Sequence, residues 1–456
     1  MERGVTLAEI LAAKENRVMK QNALLREFGV PVISFSMNIA GPVKDSQLIR
    51  RAFFFGCGAL KAALNTARFP ILREDVTTAY TGCEAMVAVR ADAAALKRLC
   101  VSIEDATPVG RLFDMDVLDT DGRKLERENE RRCLICGKPG RGCASRRLHS
   151  VSELQAATRQ IIEAHFAKAD RHRIAALATN ALIEEVRTTP KPGLVDLNNN
   201  GSHRDMTVST FLASAAALAD YWEQCVQIGQ ESAAQSPEET FARLREAGKT
   251  AERAMLDATG CINTHKGAIF ILGVLCGAIG RLWNAEIPCG DVEAILNECT
   301  AMTAKPLRAE LAALAAFPEK AQTKGQRLYL NYGMTGVRGE MAAGLPRIRL
   351  ISLPKFRQAL SAGYSRNDAG AIALLALIAQ GPDTNMVARG GLGAAEEAVH
   401  EASALLARDS FPSLTAIARL DETFIRRNLS PGGCADLLAS TYFLYDWSRS
   451  FDETRL

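Results

Sequence analysis

The spacing of apolar and polar positions divides the chain into two regions with different periods. In the first third, Leu7 to Phe28 has the spacing of an amphipathic helix, and Val30 to Ile39 carries the β-branched and aromatic residues of a strand. The same patterns predict strands at Ala85 to Arg90 and Arg111 to Leu118, with a helix at Asp92 to Leu99 between them. Mixed strands and helices of this kind predict an α+β domain.

From Ile174 onward nearly every segment has helical spacing, alanine and leucine are abundant, and strand-like alternation disappears. This pattern predicts an all-α domain. The predicted helices include Val208 to Gly229, Pro237 to Thr259, Gly267 to Trp283, Ala369 to Gln380, Ala394 to Ala407 and Cys434 to Trp447.

The junction between the two regions is itself helix-forming. Ser150 to Asp170 is polar and contains no proline- or glycine-rich spacer. A chain of 456 residues is too long for one ordinary core. We therefore expect two domains, 1–160 and 161–456, joined by a helix.

Composition narrows the class of protein. The chain has no apolar run of eighteen residues, about the minimum for a membrane span, and its N-terminus lacks the pattern of a signal peptide. Its twelve cysteines are spread through a long chain, which favours reduced thiols, most of them in the core. These features predict a cytoplasmic protein without a membrane partner.

The net charge of +3 conceals a basic segment. Between Arg123 and Arg147 there are nine basic residues and three acidic ones. Such a density suits phosphate groups or an acidic protein partner. Nucleic acid is the weaker interpretation, because the total charge is small and no helix-turn-helix or aromatic RNA-binding signature accompanies the segment.

The first candidate site follows the first predicted strand, in the sequence GPVKDSQLIRR. Ser46 can cap a helix, and Lys44, Arg50 and Arg51 lie around the start of that helix, where free N–H groups favour anions. An ordinary strand, turn and helix with solvated charges explains this segment equally well.

A pair of carboxylates lies on the strand from Arg111 to Leu118. Asp114 and Asp116 are two residues apart, so alternation along a strand puts both on one face, close enough to share a divalent cation. Two acidic residues on a solvated strand are common, but this pair lies near Gly110 and precedes the basic segment. The pattern favours magnesium bound to a diphosphate.

Three cysteines and a histidine lie inside the basic segment. Cys133, Cys136, Cys143 and His149 are the ligand types of a structural zinc site. Reduced thiols in a tight basic turn are the alternative. A redox dithiol is less favoured, because no thioredoxin-like βαβ unit surrounds the cysteines.

The helical region contains a loop rich in proline, glycine and asparagine, TPKPGLVDLNNNGSHRDM. Its prolines and glycines predict a stiff, shaped segment. Lys191 and His203 can contact phosphate oxygens, and Asp196 and Asp205 can hold a metal ion or polarise a hydroxyl. A solvated surface turn is the alternative.

Similar clusters recur at later helix ends, each with an ionisable group beside glycine: NTHKG from Asn263, YGMTGVRGE up to Glu340, DTN from Asp383, RGG from Arg389, and NLSPGGCAD up to Asp436. One such cluster is more often a helix cap. Five with matching chemistry favour a single phosphate-rich pocket.

The blocks GPVKDSQLIRRAF, GRLFDMDVLD and RRCLICGKPGRGCASRRLHS together resemble the apo-citrate lyase phosphoribosyl-dephospho-CoA transferase family over residues 5–155. The resemblance implies that a serine of the citrate lyase acyl-carrier subunit attacks 2'-(5''-triphosphoribosyl)-3'-dephospho-CoA and releases diphosphate. From residue chemistry, Asp114 and Asp116 would bind magnesium on the diphosphate. The groups that would neutralise its charge are Lys44, Arg50, Arg51 and Arg111.

The later blocks TPKPGLVD, NTHKGAIF, TGVRGE, DTN, RGG and NLSPGGCADLL resemble the triphosphoribosyl-dephospho-CoA synthase family over residues 170–450. The resemblance implies that ATP and 3'-dephospho-CoA are joined with loss of adenine, which makes the donor for the first domain. Carboxylates would assist glycosidic cleavage, and basic or polar side chains would hold the triphosphate with magnesium. The candidate carboxylates are Asp196, Asp205, Glu340, Asp383 and Asp436. The candidate phosphate-binding residues are Lys191, His203, Asn263, His265, Lys266, Arg338 and Arg389.

The sequence thus predicts a fused bifunctional transferase that matures the citrate lyase prosthetic group. Glu185, just before the proline-rich loop, is a further candidate carboxylate of lower rank, and a purely structural role is the alternative. Two other functions remain open at this stage: the equivalent enzyme of malonate decarboxylase maturation, and a zinc-stabilised carrier-protein binding module whose helical domain only binds nucleotide.

Overall fold

The computed structural model describes residues 3–450, with the side chains of Arg141 and Ala144 outside that description. The chain divides into two compact units. Unit 1 comprises Met1–Ala169 with Asn284–Ile287, and unit 2 comprises Asp170–Trp283 with Pro288–Leu456. In the described part, no helix combines the length and the apolarity needed to cross a bilayer.

Unit 1 is built on a four-stranded antiparallel sheet in the order β2-β3-β1-β4. The strands are β1 (Val32–Met37), β2 (Ile71–Ala79), β3 (Gly82–Val89) and β4 (Phe113–Leu118), and a 3₁₀ turn at Val109–Leu112 leads into β4. The helices that lie within it are α1 (Leu7–Phe28), α2 (Gln47–Thr66), α3 (Ala93–Ala106) and α4 (Gly140–Ser145).

Alternation along the strands gives the sheet two different faces. Phe35 on β1 and Phe113 on β4 are fully buried and pack with Phe53 of α2, with the Phe35 and Phe53 rings stacked at 4.9 Å. On the opposite face, Leu24 and Leu25 of α1 pack against Met86 and its neighbours. Asp114 and Asp116 share this second face, so α1 covers only part of it.

Local capping explains where the first helices begin. Thr6 and Glu9 form a reciprocal capping box at the start of α1, and Gly29 ends it in the left-handed conformation. Ser46 accepts from the Ile49 N–H at 3.2 Å, as predicted for the second helix. The mixed N-terminal architecture is therefore confirmed.

Several predicted boundaries in this unit were wrong. The predicted strand from Arg111 begins at Phe113, because Val109–Leu112 form the 3₁₀ turn. The helix predicted to end at Leu99 continues to Ala106. Strand β2 was not predicted, because its sequence ILREDVTTA is mostly polar; it lies at a sheet edge, where one side needs no strand partner.

The described residues of unit 2 form helices and connecting loops without a strand, so the predicted all-α domain is confirmed. Helix α5 (Val151–Arg187) leads into it. The helices that follow are α6 (Val208–Ala217), α7 (Ala219–Glu231), α8 (Pro237–Thr259), α9 (Lys266–Arg281), α10 (Val292–Ala316), α11 (Lys324–Tyr332), α12 (Gly336–Ala342), α13 (Leu353–Ser361), α14 (Arg366–Ile378), α15 (Thr384–Gly390), α16 (Leu392–Arg408), α17 (Leu414–Arg426) and α18 (Gly432–Arg449), with a π-helical turn at Ile348–Ser352.

The core of unit 2 is organised around α9, α14 and α18. Helix α9 is apolar almost all round and buries residues from Ala268 to Gly280, and α14 is buried from Ala369 to Ile378. The predicted helix Val208 to Gly229 was wrong as a single element, because it divides at the fully buried Leu218 into α6 and α7.

Candidate active sites

One cavity in unit 2 collects most of the polar clusters of the helical region. Its volume is about 1330 Å³, and helix ends and loops from α5 to α18 line it. Its basic side chains outnumber its acidic ones, which favours a polyanionic ligand. The basic groups are Lys191, Arg245, Lys249, Lys266, Lys320, Lys324, Arg338 and Arg389, and the acidic groups are Glu185, Asp205, Glu252, Glu310 and Asp436.

The proline-rich loop after α5 is held by carboxylates that do not face the cavity. Asp196 is buried and accepts from the backbone N–H groups of Lys191, Asn198 and Asn199 at 2.7 to 3.0 Å. Gly193 has φ of 70°, and a side chain there would overlap the Leu429 carbonyl. The loop is therefore stiff, as predicted, and Asp196 shapes it.

Lys191 and Glu185 form a buried ion pair in the cavity wall. The Lys191 side chain is 1% exposed, and its Nζ donates to a Glu185 carboxylate oxygen and to the Glu185 carbonyl, the latter at 2.7 Å. Glu185 was only a second-rank candidate, yet it lines the cavity. Burial raises the pKa of Glu185, whereas Lys191 opposes that shift.

Asp436 projects from the start of α18 onto the N-terminus of α9. Its carboxylate accepts from the Ala268 backbone N–H, so it caps a helix other than its own. Gly267 makes this approach possible, because a Cβ at that position would overlap the Asp436 Oδ2 atom. Burial, with Glu185 and Asp383 nearby, raises the pKa of Asp436 well above its ordinary value.

His265 is a buried neutral histidine in the cavity wall. Its Nδ1 lies 2.7 Å from the Ser214 hydroxyl, which accepts from Thr264 at 2.8 Å. Ser214 can then donate to Nδ1, which puts the ring proton on Nε2. That Nε2 is buried without a hydrogen-bond partner among the described residues. Burial, followed by Lys191, lowers the His265 pKa to about 3.

His203, in the proline-rich loop, is a second histidine that lies beside a serine hydroxyl. Its Nε2 lies 2.8 Å from the Ser430 hydroxyl, and burial beside Arg389 lowers its pKa. Arg389 itself donates to Asn428 Oδ1 at 2.8 Å and to the Ser202 carbonyl. These bonds join the first loop to the segment before α18.

The exposed bases of the cavity have flexible carboxylate partners. Lys266, at the start of α9, pairs with Glu252, and its own backbone N–H donates to Asn263 Oδ1 at 3.3 Å. Arg338 lies 3.6 Å from Glu310. Such exposed pairs are weak, so a phosphate can replace the carboxylate at little cost.

Four further basic groups of the cavity wall were missed: Arg245, Lys249, Lys320 and Lys324. They lie on or beside ordinary amphipathic helices. Lys249 follows Gly248 and Lys324 precedes Gly325, but neither pair belongs to a polar loop cluster like those singled out in the sequence. In the sequence they are indistinguishable from solvated charges.

Two predicted carboxylates lie behind the cavity wall. Asp383 caps α15 through the Asn385 and Met386 N–H groups and also accepts from Gly433 and Cys434 at the start of α18. Burial raises its pKa, and these four N–H groups act in the opposite direction. Glu340 accepts from the Arg347 N–H at 2.8 Å. Asp205, by contrast, is exposed at the cavity rim.

Unit 1 holds the second candidate site, on β4. Asp114 and Asp116 are both half-buried on one face, between inward-pointing Phe113, Met115 and Val117. Asp116 pairs with Lys124 at 2.6 Å, and Asp114 lies 3.5 Å from Arg131. The carboxylates and cations here can hold a metal and an anionic leaving group.

The four predicted anion-binding cations of unit 1 have partners of different kinds. Lys44 donates to the Ile39 carbonyl, and Arg50 pairs with Asp45 through two bonds of 2.6 and 2.7 Å. Arg51 lies over the Phe166 ring at 3.9 Å. Arg111 donates to the Arg132 carbonyl, so it joins β4 to the cysteine-rich segment.

The cysteine and histidine cluster comes together in the fold. One ligand atom from each of Cys133, Cys136, Cys143 and His149 lies within 4.8 Å of all the others. The Nε2 of His149 is buried and has no hydrogen-bond partner among the described residues. Three sulfurs and one imidazole nitrogen at this spacing match a tetrahedral zinc site.

Two family models match consecutive parts of the chain. Residues 5–165 match apo-citrate lyase phosphoribosyl-dephospho-CoA transferase, and residues 171–454 match ATP:dephospho-CoA triphosphoribosyl transferase. Together with the two sites, these matches define a bifunctional transferase that matures the citrate lyase prosthetic group. The chain belongs to the ATP:dephospho-CoA triphosphoribosyl transferase family, in the fused form that also carries the apo-citrate lyase transferase.

Two curated relatives match the whole fused arrangement, and a third matches only part of it. Protein CitXG of Haemophilus influenzae is 34% identical over 96% of both chains, and Protein CitXG of Leuconostoc mesenteroides is 29% identical over 96% of this chain and 97% of its own. A probable 2-(5''-triphosphoribosyl)-3'-dephosphocoenzyme-A synthase of Vibrio cholerae is 41% identical and covers 60% of this chain and 88% of its own. The citrate lyase assignment therefore replaces the malonate decarboxylase and binding-module alternatives.

Proposed function

We propose that the cavity of unit 2 makes the triphosphoribosyl donor and that Asp436 is its general acid. The observation that carries this proposal is a carboxyl group with a strongly raised pKa, in contact with a helix N-terminus and facing a basic cavity. A carboxyl group with a raised pKa keeps its proton to a higher pH than an ordinary carboxyl group does, and it can donate that proton to a leaving base. Adenine leaves more readily when it is protonated.

The proposed reaction balances with two carboxyl groups. The bond between adenine N9 and the ribose C1 of ATP breaks, and Asp436 supplies the proton that adenine carries away. The 2'-hydroxyl oxygen of dephospho-CoA bonds to that C1, and its proton passes to Glu185. Lys191 favours the ionised form of Glu185, which would lie beside the positive charge that develops on the ribose. Proton exchange with water restores both groups.

The exposed bases of the cavity would hold the triphosphate of ATP. We expect Lys266→Met to lower adenine release by about tenfold to a thousandfold, because a charged phosphate contact is worth roughly 1.4 to 4 kcal/mol. The measurement is adenine release by the full chain against ATP concentration. Lys305→Met is the matched control, since this exposed lysine lies on α10 outside the cavity. Equal rates for both variants would move the triphosphate toward Arg338 and Arg389.

We also propose that residues 1–160 form the carrier-loading domain and 161–456 the donor-synthesis domain. In carrier loading, the serine oxygen of the citrate lyase acyl-carrier subunit bonds to the phosphorus nearest the ribose, and the bond from that phosphorus to the bridging oxygen breaks. Diphosphate leaves with that oxygen, and the serine proton passes to water. Asp114 and Asp116 would hold Mg²⁺, which when bound supplies positive charge for the departing diphosphate. Arg111, in the turn directly before β4, would bind oxygens of the diphosphate.

Asp116→Asn is expected to lower the transfer of preformed donor by about tenfold to a thousandfold at limiting magnesium, because one metal ligand loses its charge. Adenine release should be unchanged. Asp121→Asn, in the exposed turn after β4, is the control. Unchanged transfer by Asp116→Asn at limiting magnesium would remove this pair from the mechanism.

We further propose that Cys133, Cys136, Cys143 and His149 bind zinc. The supporting observations are their mutual distances and the unpartnered buried nitrogen of His149. Purified protein should contain one zinc per chain, and chelation should make three additional thiols titratable. All twelve cysteines lie in the described part and are free of disulfides, which supports a reducing compartment, and we propose the cytoplasm.

A further inference from the structure

We propose that the zinc centre fixes the guanidinium group of Arg131 at the Asp114 face and that of Arg111 in the turn before β4, so that carrier loading depends on zinc and donor synthesis does not. The inference rests on the proposed zinc site and on the proposed transfer site. It adds a role for the metal and a diphosphate-binding role for Arg131, a residue outside the predicted site.

The cysteine-rich turn is tied to the backbone at Arg131 itself and two residues after it. The Cys133 N–H donates to the Lys138 carbonyl at 2.7 Å, and the Gly140 N–H donates to the Arg131 carbonyl at 2.9 Å. A Cβ at Gly140 would lie 2.8 Å from that carbonyl oxygen, so the approach requires glycine. The turn that carries two proposed zinc ligands thus determines where the backbone of Arg131 lies.

From this backbone, Arg131 reaches the Asp114 face. Its guanidinium donates to Glu104 at 2.6 Å and lies 3.5 Å from Asp114. Glu104 is 1% exposed and also accepts from the Met115 N–H on β4 at 2.8 Å. A buried carboxylate therefore anchors the guanidinium, while the side chain keeps 32% of its surface exposed for a ligand.

Arg111 connects the turn before β4 to the cysteine-rich segment. Its guanidinium donates to the carbonyl of Arg132, the residue directly before Cys133. A guanidinium can donate through several N–H groups at once, so this bond leaves others for diphosphate oxygens. Arg131, beside Asp114, and Arg111, directly before β4, are consequently both held by the segment that contains the zinc ligands.

Zinc would stabilise this arrangement by closing the chain from Cys133 to His149. Without a metal, a short turn and a few backbone bonds must hold four ligand residues against their conformational entropy. With a metal, ligation energy becomes folding energy for the same segment. The metal acts only through position, because none of its proposed ligands reaches the Asp114 face in this structure as part of a hydrogen bond or ion pair among the described residues.

The first experiment uses the full chain after treatment with a zinc-selective chelator and after zinc is restored, with saturating Mg²⁺ in every assay. We expect transfer of preformed donor to fall by about tenfold to a hundredfold on chelation and to recover with zinc, as for residues that orient a metal site. Adenine release should stay within twofold. If the purified and zinc-supplemented protein holds no metal, the zinc site itself fails; if it holds zinc and transfer survives chelation, only the positioning role fails.

The second experiment tests whether the metal acts through Arg131. Arg131→Gln should lower transfer mainly by raising the KM for the donor, and chelation of this variant should have little further effect. A full additional loss on chelation would overturn the proposed route. Arg132→Gln is the matched control, since only its backbone carbonyl takes part in the network.

A spectroscopic measurement separates this result from unfolding. Cobalt(II) in place of zinc gives absorption bands that report thiolate ligation. Arg131→Gln and Arg132→Gln should keep the wild-type cobalt spectrum, whereas Cys143→Ser should change it. A changed spectrum in Arg131→Gln would mean that the arginine supports the metal site, which reverses the proposed direction of dependence.

Discussion

Asp436→Asn is expected to lower adenine release by about a hundredfold to ten-thousandfold, the range for loss of a positioned general acid. The amide oxygen can still accept from the Ala268 N–H, so the cap on α9 should persist. Transfer of preformed donor should be unchanged, because it depends on the other domain. The measurement is adenine release by the full chain at saturating ATP and dephospho-CoA.

The pH dependence distinguishes an acid from a merely structural carboxyl. Burial raises the pKa of Asp436, so in the native protein the group is protonated below this raised pKa and loses its proton as the pH rises through it. Donor synthesis by wild-type protein should therefore decline on the alkaline side. This limb should be absent in Asp436→Asn, because asparagine does not titrate.

A matched control keeps this prediction specific. Asp220→Asn changes an exposed aspartate on α7 that does not line the cavity, and it should retain the wild-type rate and pH profile. A wild-type rate in Asp436→Asn would exclude the group as the acid. A slow variant with the alkaline limb intact would assign that limb to another residue, and would leave Asp436 as a cap.

The sequence predicted the architecture well where local signals agree with tertiary contacts. Helix α1 begins and ends at its predicted residues, because the Thr6 capping box and Gly29 are encoded nearby. Strand β2 was missed because its polar residues gain their strand conformation from pairing with β3. The division at Leu218 was missed because both halves have helical spacing.

The candidate site was predicted at the level of loops, but the direction of each side chain was not. Asp196, Asp383 and Asp436 all lie beside glycine or asparagine turns, and all three accept backbone N–H groups. Only Asp436 also faces the cavity. That distinction depends on α9 and α18 meeting at Gly267, two segments far apart in the chain, so local sequence carries no signal for it.

The lack of a local signal also explains why the sequence ranked Glu185 low. It lies in the last turn of a long helix, just before the proline-rich loop, and no glycine stands beside it, so its sequence context does not separate it from a surface charge. In the fold it is buried and opposite Lys191, six residues later in the chain. Lys191 was predicted as a free phosphate ligand, and the ion pair shows that it also has a structural role.

Lys191→Met is expected to destabilise the helical domain by about 3–5 kcal/mol, because it leaves the Glu185 carboxylate buried without its partner. This outcome differs from that of a simple phosphate ligand, whose loss would spare folding. All three tryptophans, Trp222, Trp283 and Trp447, belong to unit 2, so fluorescence during urea unfolding reports this domain alone. Lys266→Met, which breaks an exposed pair, should unfold within about 1 kcal/mol of wild type.

The pH dependence of stability, together with a double variant, identifies the cause of the destabilisation by Lys191→Met. Without Lys191, burial raises the pKa of Glu185 and nothing close by opposes it. The folded variant then binds a proton more tightly than the unfolded chain does, so its stability falls as the pH rises from the unfolded pKa through the raised folded one. The deficit should shrink in acid, and Glu185→Gln added to Lys191→Met should recover part of it, because no charge is then left buried. Equal destabilisation at every pH, with no recovery in the double variant, would mean that Lys191 stabilises the loop through packing of its aliphatic stem, and the ion pair would lose its place in the mechanism.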